Sequence, residues 1–595
     1  MEKAPALCEK GRFLTPVLLF LGACLLYFPT LGYDFTVDDP LLTIHNAALR
    51  DFSGDYAGFF DSNLYAGTSF ESGNAYVYRP LLMASIALDY QLAGHTIEAS
   101  RFHLTNVLLY AALIAVLYLL LRALQGKARP AAPAFLVALL FMVFPSHSEV
   151  VCNVKNREEI LALLFGAVSW WLIARDWAPG LRASLFRGIA APLFFLLALL
   201  SKESALLLLP VMALWRRLAP AGAGGRAGFP FIPFTLAAIA YFLLRRHALG
   251  FGFDLPERTL FFTAEDGLLA RVLTAAPVFV KYYLWDQLLG LELNPSFSTR
   301  FLVPVVQAPA GGAVASLIGL SVLFLVALRI AWTRGAAPAL WGVFFFVTSL
   351  LALQIVPLGT AGAFRLMFTP SLGLCAVLGA ALGRAAWPGG EAGSGPSRRP
   401  RALGAGMILV VVVSYAATAR ARSANWRNDG TLYAYAAEVA PGDPMSRYAA
   451  AEHAGRAGRA DERRAYLEEA LAIFVSRQGE PAVFDERALD AFSVAATEVA
   501  YGAIDTDAPR AIALSDLAIG LFERLRALRG GAIDANAAAP YYVKARALAR
   551  LARYRESRET CRAGLALARH PGLERLLQEL SRRDHADPAH LPGGN

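Results

Sequence analysis

Cysteine is scarce in this sequence, with five residues in 595, and no two of them have the spacing of a zinc site or a redox pair. Charged residues are scarce too, at 17% of the chain, while 56% of the residues are hydrophobic. A soluble protein of this length cannot hide so much apolar surface. The composition therefore argues against a disulfide framework, against a cysteine-ligated metal site and against a string of soluble domains.

Long apolar runs fill the first 419 residues. Two further apolar segments, 80–93 and 277–291, are predicted to be interfacial or re-entrant, because counting them as full spans would invert the later loops. After residue 419 the chain becomes charged, alanine-rich and helical. We therefore expect an all-α fold with two regions, a polytopic membrane helix bundle over 1–419 and a soluble helical domain over 420–595. Eleven spans are predicted, near residues 13–31, 103–122, 133–147, 158–175, 187–200, 203–216, 228–245, 313–332, 337–356, 366–386 and 402–419.

The distribution of charge between the loops predicts the orientation. If the amino terminus is cytoplasmic, the cytoplasmic loops carry 18 Lys and Arg against four Asp and Glu. The other face of the membrane region then carries 13 cations and 19 acids. Because cytoplasmic loops are enriched in Lys and Arg, this orientation is favoured, and an odd number of spans puts residues 420–595 on the non-cytoplasmic side. The net charge of +9 is then a sign of topology and does not indicate binding to nucleic acid.

The unusual polar residues at the ends of the spans all fall on this outer face. Anchoring in the headgroup layer explains a single arginine there about as well as a functional role does, and a structural ion pair explains Lys202 and Glu203 equally well. Two adjacent carboxylates repel each other, which favours a site at Asp38 and Asp39. The set consists of Asp38, Asp39, Arg79, His103, Asn106, Arg157, Glu158, Lys202, Glu203 and Arg365.

A carboxylate and several cations at one membrane face suit the transfer of a sugar from a lipid phosphate. The carboxylate can deprotonate an acceptor hydroxyl, as in inverting transfer generally. Arginine can bind two oxygens of the leaving phosphate and stabilise its charge. An ion-coupled transporter needs a similar set of charges, but it should carry ionisable groups near the middle of the membrane, and the predicted span interiors are almost free of them.

Six motifs occur in an order that resembles the tetratricopeptide-repeat transmembrane protein O-mannosyltransferases, a family of the C-type glycosyltransferase superfamily. The resemblance covers nearly the whole chain. Two stretches depart from the family pattern, Val154-Lys-Asn-Arg157 and Arg365-Leu-Met. The six motifs are Tyr33-Asp-Phe-Thr-Val-Asp-Asp39, Tyr78-Arg-Pro-Leu-Leu82, Phe102-His-Leu-Thr-Asn106, Phe144-Pro-Ser-His-Ser-Glu149 running into Arg157-Glu158, Leu200-Ser-Lys-Glu-Ser204, and Arg365-Leu-Met-Phe-Thr-Pro-Ser371.

The resemblance implies a mannosyl donor carried on dolichyl or another polyprenyl phosphate, and transfer to Ser or Thr hydroxyls with inversion. It implies that Asp38 or Asp39 is the catalytic base, with a slight preference for Asp39. It also implies metal-independent chemistry, so we expect neither a metal nor a cofactor. The donor-phosphate candidates are Arg79, Arg157, Lys202 and Arg365, and the supporting residues are His103, Asn106, Glu158 and Glu203.

Small residues beyond Arg420 follow the layout of tetratricopeptide repeats. Ala437 and Ala470 lie 33 residues apart, close to the repeat length of about 34. A plain helical bundle is the alternative for this region. Stacked repeats would suit the binding of an extended acceptor polypeptide. The small residues are Ala451, Gly458 and Ala470 in one unit and Ala545, Ser557 and Gly564 in the last.

The sequence thus predicts a multi-pass membrane glycosyltransferase, in a bacterial inner membrane, with its active site and carboxy-terminal domain in the periplasm. Richness in Ala, Gly and Arg favours a bacterial source, although an endoplasmic reticulum membrane fits the same physics. The expected partners are a polyprenyl-phosphate-linked sugar, exported acceptor polypeptides held by the repeats, and the lipid bilayer. The alternatives are a glycolipid-directed glycosyltransferase, a transporter or flippase of a lipid-linked sugar, and a non-enzymatic scaffold.

Overall fold

The computed structural model describes residues 4–69, 76–126, 130–175, 180–218, 230–250, 261–262, 266–290, 301–334, 337–358, 360, 362–386, 398–478, 486–531 and 536–586. Within these ranges the regular elements are helices and no strand occurs, which confirms the all-α expectation. The chain divides into two compact units, Met1–Ser298 with Val305–Leu432, and Thr299–Pro304 with Tyr433–Asn595. The boundary by contacts therefore lies near residue 432, whereas the change in composition lies near 419.

The first unit contains a large apolar core. Helix α5 packs against α1, α6 and α8, and α17 packs against α6, α16 and α18. Short 3₁₀ turns at Phe28–Gly32, Glu203–Leu207 and Phe364–Met367 join helices near the polar residues. The helices are α1 (Ala4–Tyr27), α2 (Asp39–Leu42), α3 (Ala47–Arg50), α4 (Pro80–Leu92), α5 (Ala99–Gln125), α6 (Ala132–Met142), α7 (His147–Cys152), α8 (Arg157–Ala174), α9 (Leu181–Leu185), α10 (Ala191–Ser201), α11 (Leu208–Leu218), α12 (Phe231–Leu249), α13 (Leu268–Val278), α14 (Gln287–Leu289), α15 (Gly311–Arg334), α16 (Ala337–Thr348), α17 (Phe368–Ala386) and α18 (Arg398–Asn425).

Six helices among the described residues are long and apolar enough to cross a membrane, as judged by length and composition. Three shorter apolar helices, Ala132–Met142, Phe186–Ser201 and Pro338–Thr348, overlap predicted spans but are only 10–17 residues long. The prediction of eleven full spans is therefore not confirmed. The six long helices are Leu14–Gly32, Ala99–Gln125, Leu268–Leu289, Gly311–Thr333, Phe364–Ala386 and Ala402–Asn425.

One of the six, Leu268–Leu289, includes most of the segment 277–291 that we expected to be interfacial or re-entrant. A π-helical stretch at Phe279–Asp286 continues the helix beyond Pro277, so the chain does not break there. The guanidinium of Arg365 contacts the carboxylate of Glu149, which puts the beginnings of α8 and α17 at the same end of the bundle. The chain must then cross the membrane an even number of times between the beginning of α8 and the beginning of α17. Six spans are predicted between these two points. If Leu268–Leu289 were a seventh crossing, the number would be odd, and the beginnings of α8 and α17 would lie at opposite ends of the bundle.

The second unit consists of helical hairpins. Helix α20 packs against α21, α22 against α23, and α24 against α25. Small residues lie where the helices approach closely: Ala451, Ala470, Ala545 and Ser557 are fully buried. A side chain at Gly564 would meet Leu573 and Tyr541 at 2.7 Å. The helices that begin after residue 425 are α19 (Asp429–Val439), α20 (Pro444–Arg456), α21 (Ala460–Ser476), α22 (Glu486–Ala503), α23 (Ala508–Leu528), α24 (Ala539–Arg550), α25 (Tyr554–Leu567) and α26 (Pro571–Ala586). The assignment of these hairpins to the tetratricopeptide class stays a prediction.

Candidate active site

Arg157 begins α8 and joins three helices at the polar end of the bundle. Its side chain is fully buried, and its Nη2 lies 2.6 Å from an Oδ2 of Asp89 on α4. Its Nε donates to Asn106 Oδ1 on α5 at 2.7 Å, and its Nη2 donates to the carbonyl of Phe102 at 2.9 Å. Because all these donors are used inside the protein, Arg157 is not available to a phosphate. We correct its expected role from phosphate binding to holding α4, α5 and α8 together.

His103 and Asn106 also serve the framework. His103 is buried and its Nε2 lies 3.2 Å from the carbonyl oxygen of Asp34, in the loop that leads to Asp38. Asn106 Nδ2 donates to the carbonyls of Val151 and Asn153, which end α7. These contacts fix the loop after α1 and the turn before α8 relative to each other.

Asp39 lies at the centre of that junction. It is fully buried, and its carboxylate accepts three backbone N–H groups, from Lys155 at 2.7 Å, Val154 at 3.1 Å and Thr36 at 3.3 Å. Burial raises the pKa of the Asp39 carboxyl to about 7, although the three backbone hydrogen bonds act to lower it. A pKa near 7 suits a general base, but a base must first reach the proton that it removes. Through these hydrogen bonds, the Asp39 carboxylate joins the first outer loop to the turn before α8.

Asp38 has the opposite surroundings. Its side chain is partly exposed, and its carboxylate has no hydrogen-bond partner among the described residues. The preceding residue, Val37, has a φ of 55°, a left-handed conformation that is strained for a β-branched side chain. The N–H of Val37 donates to Asp429 Oδ1 at 2.8 Å, and the carbonyl of Thr36 accepts from Asn153 Nδ2 at 3.0 Å. The protein thus holds a strained turn that leaves the Asp38 carboxylate free.

Glu158, the next residue after Arg157, faces a different set of groups because successive helical residues point about 100° apart. Arg79 Nη1 lies 2.5 Å from Glu158 Oε1, Lys202 Nζ 3.3 Å and Lys155 Nζ 3.6 Å. Lys202 also pairs with Glu159, and Arg79 Nη2 pairs with Glu203 Oε1 at 3.1 Å. Three cations therefore converge on one fully buried carboxylate.

Arg365 is the most exposed of the cations in this region, with 28% of its side chain accessible. Its Nη1 donates to Glu149 Oε1 at 2.8 Å, and its backbone N–H reaches Glu149 Oε2 at 3.3 Å. Its Nε and Nη2 have no partner among the described residues. Glu149 therefore orients the guanidinium and leaves two of its nitrogens open to a ligand.

Electrostatic effects connect Asp38 to these cations. Burial raises the pKa of the Tyr65 hydroxyl; the charge of Asp38 raises it further, while Arg79 and Arg365 lower it. Burial also lowers the pKa of Lys155, which feels the charges of Glu158, Arg365, Arg79 and Asp38. Asp38, Tyr65, Lys155, Arg79 and Arg365 therefore form one cluster, which we call the Asp38 cluster.

The structure brings together most of the residues that the sequence singled out. Arg79, Glu158, Lys202 and Glu203 form one ion-pair network, and Asp38 and Arg365 lie within electrostatic reach of it. Sequence reasoning assigned no role to Tyr65, Lys155 or Glu149. Glu149 was part of a quoted motif, and Lys155 stands beside Arg157, but neither spacing nor composition distinguished Tyr65.

No group of three or more His, Cys, Asp and Glu side chains arranged to hold a metal ion occurs in the described part of the chain. Two carboxylates beside the cluster, Glu158 and Glu149, are paired with its cations Arg79 and Arg365. Among the described residues of the cluster, the Asp38 carboxylate is left without an ion pair, and the two open nitrogens of Arg365 are the donors that suit an anion.

Comparison with known proteins gives partial matches. The chain is 30% identical over 190 residues to the mouse protein O-mannosyl-transferase TMTC1, a stretch covering 32% of this chain and 20% of that protein. It is 28% identical over 190 residues to the human TMTC1, covering 32% of this chain and 21% of the relative. It is 27% identical over 214 residues to the Caenorhabditis elegans protein O-mannosyl-transferase F38B6.6, covering 34% and 28%. The matches therefore span about a fifth to a quarter of the length of these relatives.

No protein-family model matches the chain. Among solved structures, the apo oligosaccharyltransferase of Archaeoglobus fulgidus aligns over 69% of this chain and 56% of its own, with a TM-score of 0.39 and 15% identity. Over about a third of the chain, the sequence relatives confirm the resemblance noted from the motifs: the homologues matched there are protein O-mannosyl-transferases of the TMTC type, at about 30% identity.

Proposed function

We propose that this protein is a membrane glycosyltransferase that moves a sugar, mannose, from a polyprenyl phosphate to Ser or Thr hydroxyls of polypeptides. The observation that carries the proposal is the Asp38 cluster, in which an unpaired carboxylate lies within electrostatic reach of several cations at one end of an apolar helix bundle. The names of the relatives support the same activity. The cluster lies on the side that the charge distribution predicts to be non-cytoplasmic, in a bacterial inner membrane.

Asp38 is the general base of the proposed reaction. Its carboxylate takes the proton of the acceptor hydroxyl while the hydroxyl oxygen forms a bond to the anomeric carbon of the sugar. The bond between that carbon and the phosphate oxygen breaks, and the oxygen keeps the electron pair. Attack from the face opposite the phosphate inverts the anomeric carbon. This step needs no metal and no cofactor from this chain.

Arg365 and Lys155 bind the phosphate. The open Nε and Nη2 of Arg365 suit two phosphate oxygens, and the Lys155 ammonium adds a point charge. Both cations lie within electrostatic reach of Asp38, so one sugar-phosphate could contact the base and the cations together. Arg79 and Lys202 are held by Glu158, Glu159 and Glu203; they set the potential of the site and keep Glu158 ionised.

The second unit holds the acceptor polypeptide in this proposal. Successive helical hairpins offer an extended surface on which a segment of polypeptide can lie. The hairpins α20–α21, α22–α23 and α24–α25 supply three such units.

A reconstituted assay tests the activity directly. The full chain in lipid nanodiscs is given dolichyl-phosphate mannose, or GDP-mannose as the soluble alternative, together with Ser- and Thr-containing peptides. We expect a hexose on Ser or Thr, detected by peptide mass spectrometry, with the lipid donor alone. Transfer to an added glycolipid in place of the peptide would make the chain a glycolipid-directed enzyme. In sealed proteoliposomes containing the same protein, movement of the labelled donor across the bilayer without any product would make it a transporter.

Replacing Arg365 with glutamine is expected to lower kcat/KM for the lipid-phosphate donor by about 10²-fold, because the leaving phosphate loses its bidentate donor. Arg365→Lys should recover part of this loss, since it restores the charge without the planar fork. Arg50→Gln, an exposed arginine in the first outer loop, is the matched control and should transfer sugar at the wild-type rate. Equal kcat/KM values for the wild type and Arg365→Gln would remove Arg365 from the phosphate site.

A further inference from the structure

A cavity lies at the end of the bundle opposite the Asp38 cluster. It has a volume of about 570 Å³, within the range of roughly 300–1,000 Å³ that is typical of small-molecule sites. The helices α5, α8 and α17 carry site residues at their beginnings and line this cavity with residues near their ends. From Arg157 to Trp170, for example, α8 rises about 20 Å, so the cavity is separate from the Asp38 cluster.

The lining is apolar and rich in tryptophan. Trp170 lies with its ring centroid 6.4 Å from that of Trp215, 5.9 Å from that of Trp341, and stacked on Phe344 at 6.0 Å. The remaining walls come from aliphatic residues of α5, α6 and α17. Such a lining favours a hydrocarbon chain over a sugar or a nucleotide, both of which need many hydrogen-bonding partners.

Two polar atoms on this lining have no partner among the described residues. The Nε1 of Trp170 is a donor on a side chain that is only 3% exposed, and the Oε1 of Gln125 is a buried acceptor. A buried indole N–H normally finds an acceptor. An unpaired donor on an apolar wall indicates a ligand that brings one acceptor along with its hydrocarbon, such as the ester carbonyl of a lipid.

The charged side chain on the lining is an arginine. Arg384 lines the cavity, is exposed, and has no acidic partner in the described ranges. Arg122 lies in the last turn of α5, and Arg216 and Arg217 lie in the last turn of α11, two helices that contribute to the lining, whereas no Asp or Glu lines the cavity. Basic pockets between membrane helices bind anionic lipid headgroups. The headgroup that fits this opening is therefore anionic.

We propose that this cavity, at the end of the bundle opposite the Asp38 cluster, binds one acyl chain of an anionic phospholipid. The phosphate of the lipid pairs with Arg384, and its ester carbonyl accepts from Trp170. The site does not depend on the transferase activity proposed above. It gives the protein a lipid ligand in the leaflet that faces away from the active site.

Fluorescence quenching by brominated lipid tests the proposal, because three of the nine tryptophans line the cavity. The full chain in detergent is titrated with phosphatidylglycerol or phosphatidylcholine whose acyl chains carry bromine. We expect saturable quenching at an about fivefold lower concentration of phosphatidylglycerol than of phosphatidylcholine. Arg384→Gln should abolish this preference, and Arg329→Gln, an exposed arginine on α15, should keep it.

A second variant asks whether the lipid enters the cavity itself. Gly383 lines the cavity, and a Cβ added there would meet no atom within 4 Å, so Gly383→Leu is expected to extend into the cavity without straining the backbone of α17. This variant should lose the saturable quenching, whereas Gly319→Leu on α15, which also has open space, should retain it. Unchanged quenching in Gly383→Leu would show that no acyl chain enters the cavity. Equal responses to both phospholipids would exclude the anionic headgroup.

A competition arm separates a phospholipid from the lipid donor. Unlabelled phosphatidylglycerol should displace the brominated lipid more effectively than a polyprenyl phosphate of similar length. Stronger displacement by the polyprenyl phosphate would overturn the proposal, because the occupant would then be an isoprenoid chain.

Discussion

Replacing Asp38 with asparagine is expected to lower the rate of sugar transfer by about 10²–10⁴-fold, the usual contribution of a general base, while the protein stays folded. The Asp38 carboxylate makes no hydrogen bond to the described part of the protein, so its replacement removes no structural contact. The measurement is the initial rate with dolichyl-phosphate mannose and a Ser/Thr peptide, at matched amounts of folded protein. Asp34→Asn, an exposed acid in the same loop, is the matched control and should retain activity.

The neighbouring substitution separates the two carboxylates. In the wild-type protein, backbone N–H groups of Val154 and Lys155 donate to both oxygens of the Asp39 carboxylate. In Asp39→Asn one of these oxygens is replaced by an NH₂ group, which cannot accept, so buried donors are left unpaired. We expect it to lower the free energy of unfolding by about 1–3 kcal/mol, and to lower the yield of folded protein. A folded Asp39→Asn protein without activity, beside an active Asp38→Asn protein, would identify Asp39 as the base instead.

Sequence reasoning found the acidic pair but not the difference between its members. The doublet after the first apolar run is visible in the sequence, and so is the repulsion between adjacent carboxylates. Which of the two is buried depends on backbone amides 115 and 116 residues away, at Val154 and Lys155. The slight preference for Asp39 rested on no such contact, and the exposure of Asp38 is the reason that we propose Asp38 as the base.

The membrane helices were likewise predicted only in part. Apolar runs predicted the α-helical character of the whole first unit, because hydropathy depends on composition alone. The lengths of the helices depend on where the chain turns: α6 ends at Met142 and α16 at Thr348, well inside their predicted spans. The pair of Glu149 and Arg365 spans 216 residues and could not be read from either motif.

Arg157 illustrates why neighbours in sequence need not share a role. The run from Lys155 to Glu159 reads as one charged cluster, and the family resemblance put Arg157 beside the phosphate. On the helix, Arg157 faces α4 and α5 while Glu158 faces Arg79, Lys155 and Lys202. The direction of each side chain depends on how α8 is rotated about its axis in the bundle, and the sequence of this segment does not contain that information.

Replacing Arg157 with methionine is therefore expected to destabilise the protein by about 3–5 kcal/mol, because it leaves the Asp89 carboxylate buried without its ion-pair partner. The shift should appear in denaturant or thermal unfolding in detergent micelles. Arg101→Met on α5 is the matched control: its pair with Glu98 is exposed, at 59% and 56%, and such a surface pair is worth about 0–1 kcal/mol.

A double substitution tests the cause of this loss. In Arg157→Met with Asp89→Asn both members of the buried ion pair are replaced by uncharged side chains. Part of the stability should therefore return, since much of the cost of breaking a buried pair is the charge left behind.

The donor KM of the Arg157→Met protein that remains folded should stay close to the wild-type value, because the guanidinium of Arg157 is fully buried and bound to residues of α4 and α5. A stable Arg157→Met protein with a greatly raised donor KM would return Arg157 to the phosphate site and would place the breaking bond closer to α8 than to Arg365.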